Sequence, residues 1–288
     1  MPDRPTRTLH WRKMPVMDGA LRGRRLPVTT FIGLGVLAAC AAPTSTSAFL
    51  PDLVLWAWER PEDLRFLDPD AAAVAVLAGT LTLTGPEVDV TPRRQPLLVP
   101  VGTALIAVVR IESATALRPV RGETPRLDDA QRAAAREQIL DLARLDGVRA
   151  VQVDFDAALS ERGFYAALLV ELRRALPAEI GLSVTALASW CLDDPWLAGA
   201  PLDERTLDDA VPMLFRMGTD DAFVRRRLAA GEDFRPECRR SAGLSTDEPW
   251  PRLPAGRRLY VFHPEPWSPA AWDALCLRLA EAVSPEAA

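Results

Sequence analysis

Between Arg149 and Ala157 the chain reads Arg-Ala-Val-Gln-Val-Asp-Phe-Asp-Ala. Alternate residues of a strand face opposite ways. Gln152, Asp154 and Asp156 therefore share one face, and Val151, Val153 and Phe155 share the other. Two carboxylates on the polar side of an otherwise buried strand are costly unless paired, hydrogen-bonded or used in chemistry. Acids placed in this way suit protonation of a glycosidic oxygen, so carbohydrate chemistry is the leading reading. Asp156 is the expected general acid, kept protonated by burial and by Asp154. Glu59 or Glu112, from other strands, is expected to supply the second carboxylate. Carboxyls about 5–5.5 Å apart would give retention and about 6.5–9.5 Å inversion, while substrate-assisted cleavage needs one acid alone.

Other residues gather with these acids if each apolar run is a strand and its C-terminal end is where chemistry sits. Trp56, Trp58 and Trp190 offer flat rings that suit the apolar faces of sugars. Arg110 and Arg216 are expected to bind acidic sugars or to steady the carboxylates, and His263 is either a binding residue or a satisfied polar neighbour. A structural reading stands beside this one. Arg110, Arg216, Asp154 and Glu112 would then form a buried ion network that closes the core, the tryptophans would be core or rim, and Asp247-Glu248 a solvated turn.

The elements that must position these groups follow from the apolar pattern. Strand-like runs occur at Leu53–Trp58, Ala73–Leu77, Ala104–Ile111, Ala150–Phe155, Leu182–Leu187, Val211–Arg216 and Leu259–His263. Helical spacing fills Asp128–Leu145 and Ser160–Leu176, and Ser268-Pro269 opens a last helix. Alternating strands and helices imply a parallel sheet. The expected fold is a slightly irregular (β/α)8 TIM-like barrel over residues 52–288, with a doubly wound open sheet as the alternative. Thr80–Thr84 and Val88–Thr91, joined through Gly85-Pro86, read as a β-hairpin inserted after strand two. The stretch from Glu232 to Pro254 hides the seventh strand.

Residues 1–39 read as a signal peptide of lipoprotein type and stand outside the expected fold. Arg22, Arg24 and Arg25 precede a short apolar run that ends Leu37-Ala38-Ala39-Cys40. This resembles a lipobox, with Cys40 lipidated and residues 40–51 a flexible tether. Cleavage after Ala48, and a start at Met14 or Met17, are the alternatives. The expected location is the periplasmic side of the cell envelope, with membrane contact through the lipid anchor only. Cys191 and Cys238 fall in expected loops and are candidates for a disulfide in an oxidising compartment. Cys276, on an apolar helical face, is expected in the core.

No Cys/His cluster has metal-site spacing, and no cofactor is expected. The only lysine, Lys13, lies in the leader, which excludes Schiff-base chemistry from the rest. Beyond the leader 27 basic face 37 acidic side chains, a net charge of −10. That balance gives nucleic acid no electrostatic footprint. Neither a phosphate-binding glycine loop nor a nucleophile elbow is present.

Three motifs carry a resemblance. Val151-Gln152-Val153-Asp154-Phe155-Asp156, Thr185-Ala186-Leu187-Ala188-Ser189-Trp190-Cys191 and Val211-Pro212-Met213-Leu214-Phe215-Arg216-Met217-Gly218 resemble an uncharacterised bacterial family, domain of unknown function 3142. Trp56 through Leu64 fits it as well. A more distant likeness is to the chitinase-like glycosidases, whose Asp-x-x-Asp-x-Asp-x-Glu strand ends in the proton donor. Asp156 falls at that donor position, Asp154 two before it, Gln152 at the earlier Asp, and Arg149 where the first Asp would be. The likeness implies a glycoside hydrolase-like lipoprotein acting on a polysaccharide or oligosaccharide. The alternative is a non-catalytic carbohydrate-binding or structural envelope lipoprotein on the same barrel.

Overall fold

The computed structural model describes residues 6–9, 50–113, 123–203 and 205–283. Its elements in chain order are β1 (Thr6–Leu9), β2 (Leu53–Ala57), β3 (Glu62–Asp63), β4 (Ala73–Thr84), β5 (Glu87–Pro92), β6 (Leu97–Pro100) and β7 (Leu105–Ser113). Then come α1 (Asp129–Ala143), β8 (Val148–Asp154), α2 (Arg162–Ala175), β9 (Gly181–Leu187), α3 (Ala188–Leu192) and β10 (Asp209–Met213). The chain continues through α4 (Asp221–Ala229), β11 (Ser241–Ser245), β12 (Arg258–Phe262) and α5 (Pro269–Val283). Eight strands, β2, β4 and β7 to β12, pair in parallel, and β12 closes back onto β2. The fold is a closed, TIM-like barrel, not an open sheet.

Parallel barrel strands are covered on both faces, which is why they are apolar almost throughout. Val54, Trp56, Ala73, Ala75, Ile106, Val108, Val211 and Tyr260 pack together inside the barrel. Their neighbours Leu55, Val74, Val76 and Ala107 face outward into a second cluster. The seventh strand, hidden in the sequence, is Ser241–Ser245, a fully buried run of small residues interrupted by Leu244. Its size follows from packing. A Cβ on Gly243 would come within 2.9 Å of the Trp56 ring and 3.0 Å of Met213 Sδ.

The expected hairpin is present, and its first strand continues from the second barrel strand. β4 runs on unbroken through the expected end at Leu77, with a register shift between Leu77 and Gly79, and pairs with β5 from Gly79 to Thr84. Gln131 of α1, itself buried, donates from Nε2 to the Gly85 and Glu87 carbonyls at 3.1 and 2.7 Å and so anchors the hairpin turn. α1 and α5 begin where the sequence suggests. Asp128 accepts from the Gln131 N–H at 2.9 Å, and Ser268 from the Ala271 N–H at 3.1 Å.

Cys191 and Cys238 form the expected disulfide, with 5.8 Å between their Cα atoms. Cys276 departs from expectation and is exposed. On α5 it is Leu275 that is buried, with Trp272 and Leu279 packed beside it, so the apolar stripe passes one residue away. Thr6–Leu9, within the expected leader, pairs antiparallel with Leu97–Pro100 on a small side sheet. Arg7 donates to the Thr103 and Asp146 carbonyls at 3.0 and 3.2 Å. Cys40, Arg22, Arg24, Arg25 and Lys13 lie outside the described residues.

The N-terminal end of the barrel is closed by Arg258, which donates to the Pro51 and Leu50 carbonyls at 3.0 and 3.2 Å. Beside it Asp209 is 4 % exposed and accepts from the Ser241 hydroxyl, and its Oδ1 is buried without a hydrogen-bond partner. Burial pushes this carboxyl up to about 6, against the opposing pull of Ser241, Arg258 and Arg240.

Two outcomes are expected from this packing. Gly243→Val drives a side chain into Trp56 and should lower the unfolding free energy by about 1–3 kcal/mol in urea titrations. Asp209 favours its neutral form in the fold. Its contribution to stability is fully present below its ordinary value of 3.8 and is lost as pH rises through about 6. The native chain should therefore lose stability relative to Asp209→Asn across that window, read by thermal unfolding at a series of pH values.

Candidate functional site

The C-terminal ends of the barrel strands surround an open cavity of about 360 Å³. Asp154 is the last residue of β8 and Asp156 follows it by two; both line the cavity, as the alternation predicts. Phe155, between them, turns the other way and packs edge-on against Tyr165 at 5.2 Å. Thr185 on the neighbouring β9 donates to Asp154 Oδ1 at 2.6 Å. Asp156 is exposed, which departs from the burial expected of the general acid. Its loop is nevertheless fixed. The buried Glu161 carboxylate accepts the Ala158 N–H at 2.7 Å and the Ser113 hydroxyl. Tyr165, fully enclosed beneath the loop, donates to the Val153 carbonyl at 3.3 Å. Burial, with Asp154 and Asp156 nearby, holds its phenol far above the usual range.

Trp56 and Trp58 both line the cavity, with different roles. Trp56 is 2 % exposed and belongs to the barrel core. Its Nε1 donates to Gln152 Oε1 at 3.0 Å, and its ring lies 5.4 Å from that of Tyr260 and 6.1 Å from that of Phe215. Trp58 is half-buried at the rim, with the Arg110 guanidinium 6.0 Å from its ring. Behind it, Arg93 is buried and donates to the carbonyls of Ala57, Trp58 and Arg60, which sets the backbone that carries the ring. Burial lowers that guanidinium to about 10.

Arg216 lines the cavity in a left-handed conformation, φ 49°, which is unusual for a residue with a side chain. Its N–H donates to Glu248 Oε1 at 3.0 Å and its Nη2 to Asp247 Oδ2 at 3.2 Å. The guanidinium lies 4.8 Å from the Phe262 ring, which stacks on Phe215 at 5.5 Å. Asp247 accepts the Ser245 hydroxyl, which, with Arg216 adding to it, holds that carboxyl below the usual range. Asp247-Glu248 is therefore a brace for Arg216 rather than a bare solvated turn.

Four expected site residues lie elsewhere. Glu59 follows the inward-facing Trp58 and lines a separate groove. Glu112 is carried past the rim by the long β7 and pairs with Arg110 at 3.1 Å. Trp190 is buried on the outer face of the barrel, edge-on to Trp196 at 5.1 Å, with the Arg162 guanidinium 5.4 Å from each ring. His263 turns away because Phe262, the last residue of β12, turns in. Its Nδ1 is 2.6 Å from Thr246 Oγ1, its ring packs on Trp267 at 5.0 Å, and burial lowers its basicity. The arginines expected in a closed ionic core instead stand at an open mouth. Arg110 and Arg216 pair with Glu112 and Asp247, and the cavity is open.

The structure adds residues that the sequence did not single out. Asp220 brings a third carboxylate to the cavity from the turn after β10, and Met213, Phe215 and Phe262 extend its apolar wall. The positive φ of Arg216 and of Gly218, at 60°, folds that turn back over the barrel, and no periodicity in the sequence announces it. No group of His, Cys, Asp and Glu side chains among the described residues is arranged to hold a metal ion.

Residues 102–211 match the family model of a domain of unknown function, DUF3142. No curated protein and no solved structure matches the chain. The matched stretch runs from just before β7 into β10 and carries Arg110, Asp154, Asp156 and Thr185, while Trp58, Arg216 and Asp220 come from outside it. Gln152 joins the two parts, and Gln152→Leu should leave the Trp56 N–H without its acceptor. The expected loss is about 1–3 kcal/mol of stability, measured as a lower midpoint in denaturant titration.

Proposed function

We propose that this protein is an exported, glycoside hydrolase-like lipoprotein that cleaves a polysaccharide by carboxylate general acid catalysis. One observation carries the reading. Asp154, Asp156 and Asp220 open into a single cavity with two tryptophans, at the end of a parallel barrel where such chemistry is placed. Asp156 gives its proton to the glycosidic oxygen as the bond from the anomeric carbon to that oxygen breaks. Asp220 takes a proton from the water that attacks the anomeric carbon, and a shortened chain with a new reducing end leaves. Trp58, Phe215 and Phe262 offer rings to the apolar face of the sugar, and Asp154, oriented by Thr185, accepts a sugar hydroxyl. The Cys191–Cys238 bridge is in keeping with an oxidising compartment. We place the protein on the periplasmic side of the envelope, held by a lipid on Cys40. No helix among the described residues is long and apolar enough to cross a membrane.

The solvent exposure of Asp156 favours a second reading, a carbohydrate-binding lipoprotein that transfers no proton. Reducing-sugar release from a panel of envelope polysaccharides separates the two. Asp156→Asn should lose about 10²–10⁴-fold of the activity at unchanged thermal unfolding. Saccharide binding by both proteins without any release would establish the second reading instead.

A further inference from the structure

Trp58 and Arg110 line the mouth cavity, and residues next to them in the chain or across the sheet line a second cavity of about 250 Å³. The two adjoin along two elements. Trp58 lines the first and Glu59, the next residue, lines the second. Val108 and Arg110 of β7 line the first, and their register partners on β4, Leu77 and Thr80, line the second. Neighbouring strands stand only about 4.8 Å apart. The linings of the two cavities thus lie on adjacent residues and adjacent strands.

The second cavity is lined for a hydroxyl-rich ring. Glu59 offers a carboxylate, Thr80 and Thr91 hydroxyls, Arg94 a guanidinium and Gln95 an amide. A sugar hydroxyl both donates and accepts, and this set supplies partners of both kinds. Its walls are held in place. Arg93, buried behind it, fixes the backbone from Ala57 to Arg60 through three carbonyls. β5 holds Thr91 against Thr80 in antiparallel register. Gly79 lies close under the hairpin partner, where a Cβ would come within 3.3 Å of the Thr91 carbonyl.

We propose that the two cavities are consecutive subsites of one cleft, so that the ligand is an oligosaccharide chain which passes the Trp58–Arg110 step and runs along the β4–β5 hairpin. The proposal rests on the carbohydrate reading of the mouth and adds to it the length and direction of the ligand. It also gives Glu59 a place as a hydrogen-bond acceptor in the second subsite, away from the bond that is cleaved.

The test is calorimetric titration of the full chain with di-, tri- and tetrasaccharides of glucose and of N-acetylglucosamine. Affinity should rise by about tenfold or more from disaccharide to tetrasaccharide. In Thr91→Trp, whose indole fills the second cavity from an exposed position on β5, the ratio of those affinities should fall toward one. Gln95→Ala should lower the same ratio part of the way, which guards against misfolding of the tryptophan variant. An affinity independent of chain length, or a ratio that survives Thr91→Trp, overturns the extended cleft and leaves the mouth as a sugar site. Failure of every saccharide to bind overturns the carbohydrate reading, and the cleft with it.

Discussion

The hydrogen bond from Trp56 to Gln152 crosses the interior of the barrel, and much of the structure is arranged around it. An indole spanning a parallel barrel needs an acceptor for its N–H and room for its rings. Gln152 on β8 is the acceptor, and Ser183 on β9 takes one of its amide hydrogens at 3.5 Å. Room comes from the smallness of Ala73, Ala75 and Gly243. The same ring forms the floor of the mouth. The groups above it, Asp154 and Phe215 among them, stand on a base that is packed and polar-satisfied at once.

Above that floor the rim is built by pairs of groups that restrain each other. Arg93 grips the carbonyls behind Trp58, Glu161 grips the turn that carries Asp156, and Asp247 with Glu248 grips Arg216. Each restraint is a side chain bonded to the backbone or guanidinium of a rim segment. Loops are the mobile parts of a barrel, and these bonds convert three of them into fixed walls. The strained φ of Arg216 is maintained by such a bond, since its own N–H is the donor to Glu248.

Most of the barrel was legible in the sequence because seven of its strands are long apolar runs. The eighth, Ser241-Ala242-Gly243-Leu244-Ser245, was not, since what shapes it is the volume of Trp56 on another strand. The same limit governs the site. Asp154, Asp156 and Arg110 could be placed from alternation within a strand. Glu59, Glu112 and His263 could not, because each lies beyond the residue, Trp58, Arg110 or Phe262, with which its strand enters the cavity. Asp220 depends on a backbone reversal, and Trp190 on a five-residue helix that swings it to the outside.

Arg258 holds Leu50 and Pro51 against the closed end of the barrel, opposite the cavity. Any attachment made through the residues that lead into Leu50 therefore pulls on the base. A barrel tethered to a surface in that way stands with its mouth turned outward. In that arrangement the open end, with its three carboxylates, points away from the place of attachment.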